Sequence, residues 1–179
     1  MSQHPYPRLA RLALEEDLAG RLPTEALVSQ IEAEEDLWSP KRACFVSIKN
    51  KDGRLRGCIG TIVPVQPSLA EEIIVNAVSA GTRDPRFDPL EAKDLSDVVL
   101  SVDVLSRPEP ISGLWDLDPE KWGVIVSKGS QRGVLLPDLE GVDTVERQVA
   151  IAAQKAGLRS LDGVRLERFS VRRYPEEKP

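Results

Sequence analysis

The sequence predicts an α+β protein in which mixed, mainly antiparallel sheets are flanked by helices. Two pairs of strand-like segments are joined by short turn sequences, at residues 50–53 and 128–133, as in β-hairpins. Two apolar repeats with the period of an α-helix follow capping patterns, at residues 68–80 and 143–156. Because hairpins join antiparallel strands, this arrangement favours antiparallel sheets over a doubly wound parallel one.

The N-terminal segment predicts one helix followed by an exposed connector. Pro7 is accepted in the first turn of a helix, and apolar residues recur at helical spacing from Leu9. Gly20 and Pro23 end this helix. Residues 24–40 close on an acidic run before a proline, which predicts a mostly exposed connector with room for one helical piece.

The first predicted hairpin has strands over residues 43–49 and 54–62. Two registers remain open for it. A two-residue turn at Asp52-Gly53 would pair Ser47 with Cys58 and put the two cysteines on opposite faces of the strand pair. A three-residue loop would pair Val46 with Cys58 and put both thiols on one face.

The middle of the chain predicts a capped helix and a strand. Ser68 and Glu71 fit a capping box for a helix over about residues 69–80, and Gly81 is placed to end it. Residues 97–105 alternate strongly between apolar and polar side chains, which is typical of a strand with one buried face.

The third part of the chain predicts a second hairpin and a further helix. Residues 124–127 and 134–136 form the two hairpin strands. Asp143 and Glu146 resemble the start of a helix, and Gly157 is placed as its C-terminal cap.

The C-terminal segment predicts a final strand over residues 164–173, in which a change of phase indicates a bulge, and a disordered tail at 175–179. The chain of 179 residues is expected to form a single domain over residues 1–179. Within it we expect a smaller subdomain at about residues 40–95, inserted between the N-terminal helix and the C-terminal part.

The charge and composition exclude several classes of protein. The net charge of −5 disfavours a general binder of nucleic acid or anionic membranes, which would carry a basic excess. No apolar run reaches the roughly 18 residues that a membrane span needs. The N-terminus lacks an apolar signal core and the chain has two cysteines, so we expect a cytoplasmic, reducing location.

The single histidine, His4, removes most standard catalytic sites. A Ser-His-Asp triad, a Cys-His pair or a multi-histidine metal site would have to use this one residue near the N-terminus. Zinc needs about four ligands, and His4, Cys44 and Cys58 supply too few. We therefore expect no metal site, and no cofactor is indicated.

Cys58 is the most conspicuous candidate for chemistry. It stands between Gly57 and Gly60, and glycine in a strand often marks a close approach of another group. Arg56, a nearby cation, could lower the pKa of the thiol. Cys58 and Arg56 are thus candidate catalytic residues, with Gly57, Gly60 and Thr61 as candidate substrate contacts; the alternative is that Cys58 is a small structural residue of the strand.

The proline-punctuated loop at residues 82–89 is the second candidate. Arg83 and Arg86 could bind a carboxylate or a phosphate through paired hydrogen bonds, with Asp84 in the same site. The alternative is internal salt bridging, in which Asp84 neutralises an arginine of the loop.

The segment Leu55-Arg56-Gly57-Cys58-Ile59-Gly60-Thr61, followed by the RDPRFDPL loop, resembles a motif of the AMMECR family. The blocks ACFVSIKNKDG, VSKGSQRGVLLP and QKAGL support the resemblance, which extends from about residue 9 to residue 169. Microbial members of this family are called AmmeMemoRadiSam system protein A.

The resemblance implies an α+β fold of two intimately joined subdomains with a cleft. It also implies two partners, a Memo-like protein related to extradiol dioxygenases and a radical SAM protein. Two functions follow as hypotheses: an accessory component that docks on these partners, or an enzyme that acts on a small anionic or RNA-derived substrate. The accessory function is favoured because the sequence offers no standard catalytic constellation.

Overall fold

The computed structural model of the protein describes residues 4–21, 24–29, 31 and 41–177. These residues form two compact units. The first unit contains the described residues up to Val104 together with those from Arg172 onward, and the second runs from Leu105 to Val171. Residues 41–95, from the segment expected to form a smaller subdomain, belong to the first unit, and the subdomain itself stays a prediction.

The α+β class is confirmed. The described α-helices are α1 (Pro5–Leu18), α2 (Thr24–Ser29), α3 (Leu69–Thr82) and α4 (Val145–Lys155). The strands are β1 (Cys44–Asn50), β2 (Leu55–Gly60), β3 (Val98–Leu105), β4 (Glu109–Pro110), β5 (Gly123–Lys128), β6 (Gln131–Leu135), β7 (Arg165–Phe169) and β8 (Val171–Pro175). Short 3-10 turns lie at Ala92–Asp97 and Leu114–Asp116.

The strands form two four-stranded sheets. The first has the order β2-β1-β3-β8 and the second the order β4-β7-β5-β6. The two predicted hairpins, β1–β2 and β5–β6, are antiparallel, and so are the pairs β1–β3 and β5–β7 between strands that are distant in sequence. In the first sheet β2 is an edge strand. The backbone N–H and C=O groups on its outer side therefore have no neighbouring strand to pair with and need other partners.

The core of the first unit lies between one face of the first sheet and helices α1 and α3. The alternation of β1 places Cys44, Val46 and Ile48 on this face, where all three are buried. Ile73 and Leu14, from α3 and α1, are fully buried in the same apolar cluster. The connector contributes α2, while residues 30 and 32–40 lie outside the described part of the chain.

Helix α3 begins where its capping box predicted, but it ends later. The Ser68 hydroxyl accepts a hydrogen bond from the N–H of Glu71 at 3.2 Å. Gly81, predicted as the cap, lies inside the helix, which continues to Thr82. A Cβ on Gly81 would stand 2.4 Å from Leu14 of α1, so this glycine permits a close approach of two helices.

The hairpin of β1 and β2 combines a three-residue loop with a bulge. The Asn50 N–H donates to the carbonyl of Arg54, which leaves three residues at the tip. Ile48 pairs with Gly57 but Lys49 pairs with Leu55, so Arg56 has no partner across the ladder. This extra residue shifts the register by one. Ser47 therefore pairs with Cys58, which is the pairing expected for the two-residue turn.

The second unit packs α4 against its own sheet. Val124 and Val126 of β5 are fully buried on the helix side with Val149 and Ala152 of α4. The helix is capped by the Thr144 hydroxyl, so the expected start at Asp143 is off by one residue. The C-terminal cap at Gly157 is confirmed by its φ of +72°.

The predicted final strand is in fact two strands. The segment divides at Ser170, where β7 leaves the second sheet and β8 joins the first. The phase change therefore marks a change of sheet rather than a bulge. In the segment expected to be a disordered tail, the Glu176 carboxylate binds the Arg11 guanidinium at 2.6 Å and the Leu100 N–H at 2.9 Å.

Candidate functional site

The backbone of Cys58 is bound by a pair of side chains from the loop that follows α3. Cys58 lies on edge strand β2, and its N–H donates to Asp84 Oδ2 at 2.9 Å. Its carbonyl accepts a hydrogen bond from Arg86 Nη2 at 3.1 Å. The two side chains thus occupy the position of a neighbouring strand and cover this part of the sheet edge.

Asp84 and Arg86 form a tightly bonded pair. The Asp84 side chain is 2% exposed, and its oxygens accept from Arg86 Nη2 at 2.7 Å and from Arg86 Nε at 3.0 Å. The guanidinium of Arg86 and the N–H groups of Cys58 and Arg86 hold the pKa of the Asp84 carboxyl far below its usual range, against the opposing effect of burial. The pair is therefore ionised at neutral pH.

The Cys58 thiol lies on the face of the strand pair that is opposite to the core. Cys58 pairs with Ser47, whose hydroxyl donates to the Cys58 Sγ at 3.3 Å. The residue is half-buried. Its thiol is directed to Ser47, whereas its backbone meets the loop at Asp84.

Cys44 faces the other way, into the core of the first unit. It is fully buried, and Asn76 Nδ2 donates to its carbonyl at 3.0 Å and lies 3.5 Å from its Sγ. Burial raises the pKa of the Cys44 thiol to about 12. Because Cys44 and Cys58 lie on opposite faces, the register that would have put both thiols on one face is wrong.

The glycines of the motif have packing roles. A Cβ on Gly57 would stand 2.1 Å from the backbone oxygen of Ala80, so only glycine lets α3 approach β2 this closely. A Cβ on Gly60 would stand 2.2 Å from the ring of Phe45, which covers it across the strand pair. Both positions are therefore explained by contacts within the first unit.

Thr61 anchors the segment that leaves β2. Its hydroxyl binds the buried Glu72 carboxylate, which also accepts hydrogen bonds from the N–H groups of Val65 and Gln66 at 2.9 and 2.7 Å. Glu72 is 1% exposed. A single carboxylate of α3 thus fixes the conformation of the loop after the motif.

A cavity of about 400 Å³ lies beside the edge of β2. We call it the arginine groove, and its lining residues are Arg56, Pro85, Arg86, Phe87 and Asp88. Arg56 Nη1 donates to the carbonyl of Asp88 at 2.7 Å, which joins the bulge of β2 to the loop. Arg86 lies with its guanidinium carbon 5.4 Å from the centre of the Phe87 ring.

The structure brings together some of the predicted site residues and separates others. Arg56 and Arg86 both line the groove, and the buried Asp84 carboxylate binds the Arg86 guanidinium. Arg83 is exposed and does not line the groove, and the Cys58 thiol does not line it either. Glu72, which anchors the loop, was not among the predicted site residues, although an acidic residue in the first turn of a helix is a known N-terminal signal.

Metal-binding groups and the single histidine were the remaining places to look for a site in the described residues. No group of three or more His, Cys, Asp or Glu side chains there could hold a metal ion. His4 accepts a hydrogen bond from the Tyr6 N–H at 3.3 Å and stacks 4.2 Å from the Tyr174 ring, so it belongs to an aromatic cluster at the start of α1. Of the helices in these same residues, none has both the length and the apolar character needed to cross a membrane.

Comparison with known proteins identifies similar chains over nearly the whole length. The AMMECR1 family model matches residues 7–178. A protein of Thermotoga maritima is 46% identical, with coverage of 97% of this chain and 99% of its own. Protein CA_C1420 of Clostridium acetobutylicum is 47% identical over 96% of this chain, which corresponds to 36% of its own length. The crystal structure of the uncharacterized protein PH0010 from Pyrococcus horikoshii has a TM-score of 0.84 and 30% identity, covering 97% of this chain and 91% of that one.

Proposed function

Because the chain belongs to the AMMECR1 family, we propose that it is an accessory component that works with a Memo-like protein and a radical SAM protein in the cytoplasm. The observation that supports this proposal is that the polar groups of Cys58 are bound by other residues of the protein. Its backbone is bound by Asp84 and Arg86, and its thiol by Ser47. These contacts hold the edge of β2 in place, which supports a role of the motif in building a surface that a partner recognises.

The relative from Clostridium acetobutylicum supports the accessory role. There the matching region is 36% of a longer polypeptide, whereas the Thermotoga maritima relative is matched over 99% of its length. A unit that occurs alone in one organism and within a longer chain in another is typical of a component that acts together with other domains.

The proposed recognition surface is the edge of β2 with the loop that covers it. Arg56, Arg83 and Arg86 contribute charged groups to this surface. The backbone N–H of Arg83 binds the Ser79 carbonyl, but its exposed guanidinium makes no hydrogen bond or ion pair within the described residues. Arginine is enriched at protein interfaces and is a frequent hot spot there. Gly57, Gly60, Thr61 and Asp84 would act by shaping this surface.

Association with the partners tests the proposal. The protein and the Memo-like and radical SAM proteins of the same organism should co-elute in size-exclusion chromatography. Arg83→Glu should weaken that association about tenfold or more, because it reverses a charge at the interface. Arg132→Glu is the matched control, since Arg132 is also exposed but lies on β6 of the second unit. No association with either partner would overturn the accessory function.

The alternative function is an enzyme that acts on a small anionic or RNA-derived substrate through Cys58. The observation that favours it is the half-buried thiol hydrogen-bonded to Ser47, with Arg86 bound to the same residue's carbonyl. Cys58→Ala separates the two functions in a reconstituted three-protein system. An accessory role predicts that activity changes less than about twofold, whereas a nucleophile predicts a loss of several orders of magnitude with folding intact.

A further inference from the structure

We infer that the arginine groove binds a carboxylate group. The inference rests on the proposed role of this surface in recognition, and it names the chemical group that is recognised there. It is carried by the unpaired guanidinium donors in the groove, by the way both arginines are held, and by the charge balance of the lining.

Both arginines of the groove keep unpaired hydrogen-bond donors. A guanidinium has about five N–H donors. Arg56 uses Nη1 on the Asp88 carbonyl, and its Nε and Nη2 have no partner within the described residues. Arg86 uses Nε and Nη2 on Asp84 and Cys58, which leaves its Nη1 without a partner in the same part of the chain.

The two guanidinium groups are held in place before any ligand arrives. Arg86 is fixed by the buried Asp84 carboxylate and lies beside the Phe87 ring. Arg56 stands at the bulge of β2 and is tied to the loop through Asp88. Because the side chains are already ordered, a ligand that binds them loses less free energy to the ordering of flexible groups. Planar guanidinium groups match the two oxygens of a carboxylate.

The charge balance of the groove favours a carboxylate over a phosphate. Asp84 neutralises Arg86, and the exposed Asp88 lines the groove together with Arg56. The lining and its buried counter-ion together therefore carry no net charge. Asp88 repels any anion, but it repels a doubly charged phosphate more strongly than a singly charged carboxylate, and the directed N–H donors match the planar carboxylate.

The inference is tested by titrating the isolated, ¹⁵N-labelled protein and following the arginine Nε–H signals by NMR. Acetate serves as a free acid and N-acetylalanine as a mimic of a chain terminus. The signals of Arg56 and Arg86 should shift in a saturable way with at least one of the two acids, and the stronger binder identifies the source of the group. Inorganic phosphate at equal ionic strength should bind more weakly.

Arg56→Gln should weaken binding about tenfold or more, because charge-assisted hydrogen bonds to the ligand are lost. The glutamine amide ends two bonds short of the Arg56 Nη1 that binds the Asp88 carbonyl, so the backbone N–H signals of residues 86–88 are followed as the check that the loop keeps its position. Arg56→Lys, which keeps the charge without the planar fork, should weaken binding to an intermediate degree. Arg54→Gln is the matched control, because Arg54 pairs with Asp52 and does not line the groove.

Three results would overturn the inference: no saturable shift with either acid, unchanged binding in Arg56→Gln, or tighter binding of phosphate than of both acids. The experiment contains no partner protein. Its failure would therefore leave the association with the partners standing, and a failure of that association would leave carboxylate binding standing.

Discussion

In both compact units a helix approaches a strand so closely that only glycine fits between them. A Cβ on Gly57 would stand 2.1 Å from the Ala80 oxygen of α3, and one on Gly133 would stand 1.8 Å from the Ala152 oxygen of α4. Each unit also places a phenylalanine ring over a glycine of the neighbouring strand, Phe45 in the first and Phe169 in the second.

The two units differ in their buried polar groups. Among the described residues, the buried polar side chains of the first unit are Ser68, Glu72, Asn76, Asp84 and Asp103, whereas the second unit has Gln148 alone. Close-approach glycines occur in both units and therefore do not by themselves distinguish the motif of the first unit from an ordinary packing contact. The distinguishing feature of the first unit is the polar network that holds the edge of β2.

Removing the aromatic rings that cover glycines should give the largest change in the free energy of unfolding, and it compares the two units directly. Phe169 is fully buried, so Phe169→Ala should lower the free energy of unfolding by about 4 kcal/mol. Phe45 is half-buried, and Phe45→Ala should cost about 2 kcal/mol. Urea denaturation measures both. The exposed Val63→Ala is the control, with an expected change below about 0.5 kcal/mol; a larger loss for Phe45 than for Phe169 would contradict the expected order.

The close-approach glycines should give matched losses. Gly57→Ala and Gly133→Ala each force a methyl group against a backbone carbonyl, and each should cost about 3 kcal/mol in urea denaturation. Gly129→Asn is the control, since Gly129 has a φ of +58° with open space around it and asparagine tolerates this conformation. If Gly57→Ala kept full stability but lost partner binding, Gly57 would have a direct functional role.

The Asp84–Arg86 pair is expected to contribute about 2 kcal/mol, a figure reduced because Arg86 is half exposed. Asp84→Asn should lose this amount at pH 7. The folded state lowers the pKa of Asp84 below the unfolded value of about 3.9, so the contribution is complete above that pH and is lost as the pH falls. The difference between the two proteins should therefore shrink between about pH 5 and pH 2.

The exposed Asp97→Asn is the control for this pH series, because its side chain is 77% exposed and its ion pair with Lys51 is 3.9 Å long. It should follow the wild-type protein within about 0.5 kcal/mol at each pH. A difference between wild type and Asp84→Asn that grew on acidification would contradict the ionised state of Asp84.

The smallest effect is expected at Gln148. Its Nε2 donates to the Trp122 carbonyl at 2.7 Å, but its buried Oε1 has no hydrogen-bond partner. Gln148→Leu removes the donor to the Trp122 carbonyl, which is unfavourable, but it also removes the buried unsatisfied Oε1, which is favourable. The two effects offset each other, so the free energy of unfolding should change by less than about 1 kcal/mol. In the first unit, Asn76→Leu should cost about 2 kcal/mol, because it removes one of the two donors to the Cys44 carbonyl, which keeps only the Thr61 N–H, and removes no unsatisfied atom in exchange. Equal losses would remove the difference between the units.

Elements that depend on local signals could be predicted from the sequence. The Ser68 cap, the alternation along β3 and the left-handed glycine at Gly157 each act within a few residues, and each was found where expected. The errors arose where contacts come from far along the chain. Glycine is the residue expected at a helix cap, but Gly81 lies within α3, where the lack of a side chain lets Leu14 of α1 pack close to it. The break at Ser170 depends on two different sheets, so the pattern of one strand could not distinguish it from a bulge.

By itself the sequence determined the α+β class, the hairpins and the segment that marks the family, because hydrophobic period, turn residues and motif are local properties. Only the tertiary structure decided what surrounds Cys58. The bulge at Arg56 fixed the face of its thiol, and Asp84, which is 26 residues further along the chain, bound its N–H. The register of β2 and the contacts at its edge depend on packing against residues that are distant in sequence. Local sequence signals therefore could not show that the loop of Asp84 and Arg86 binds the edge of the motif strand, beside the arginine groove.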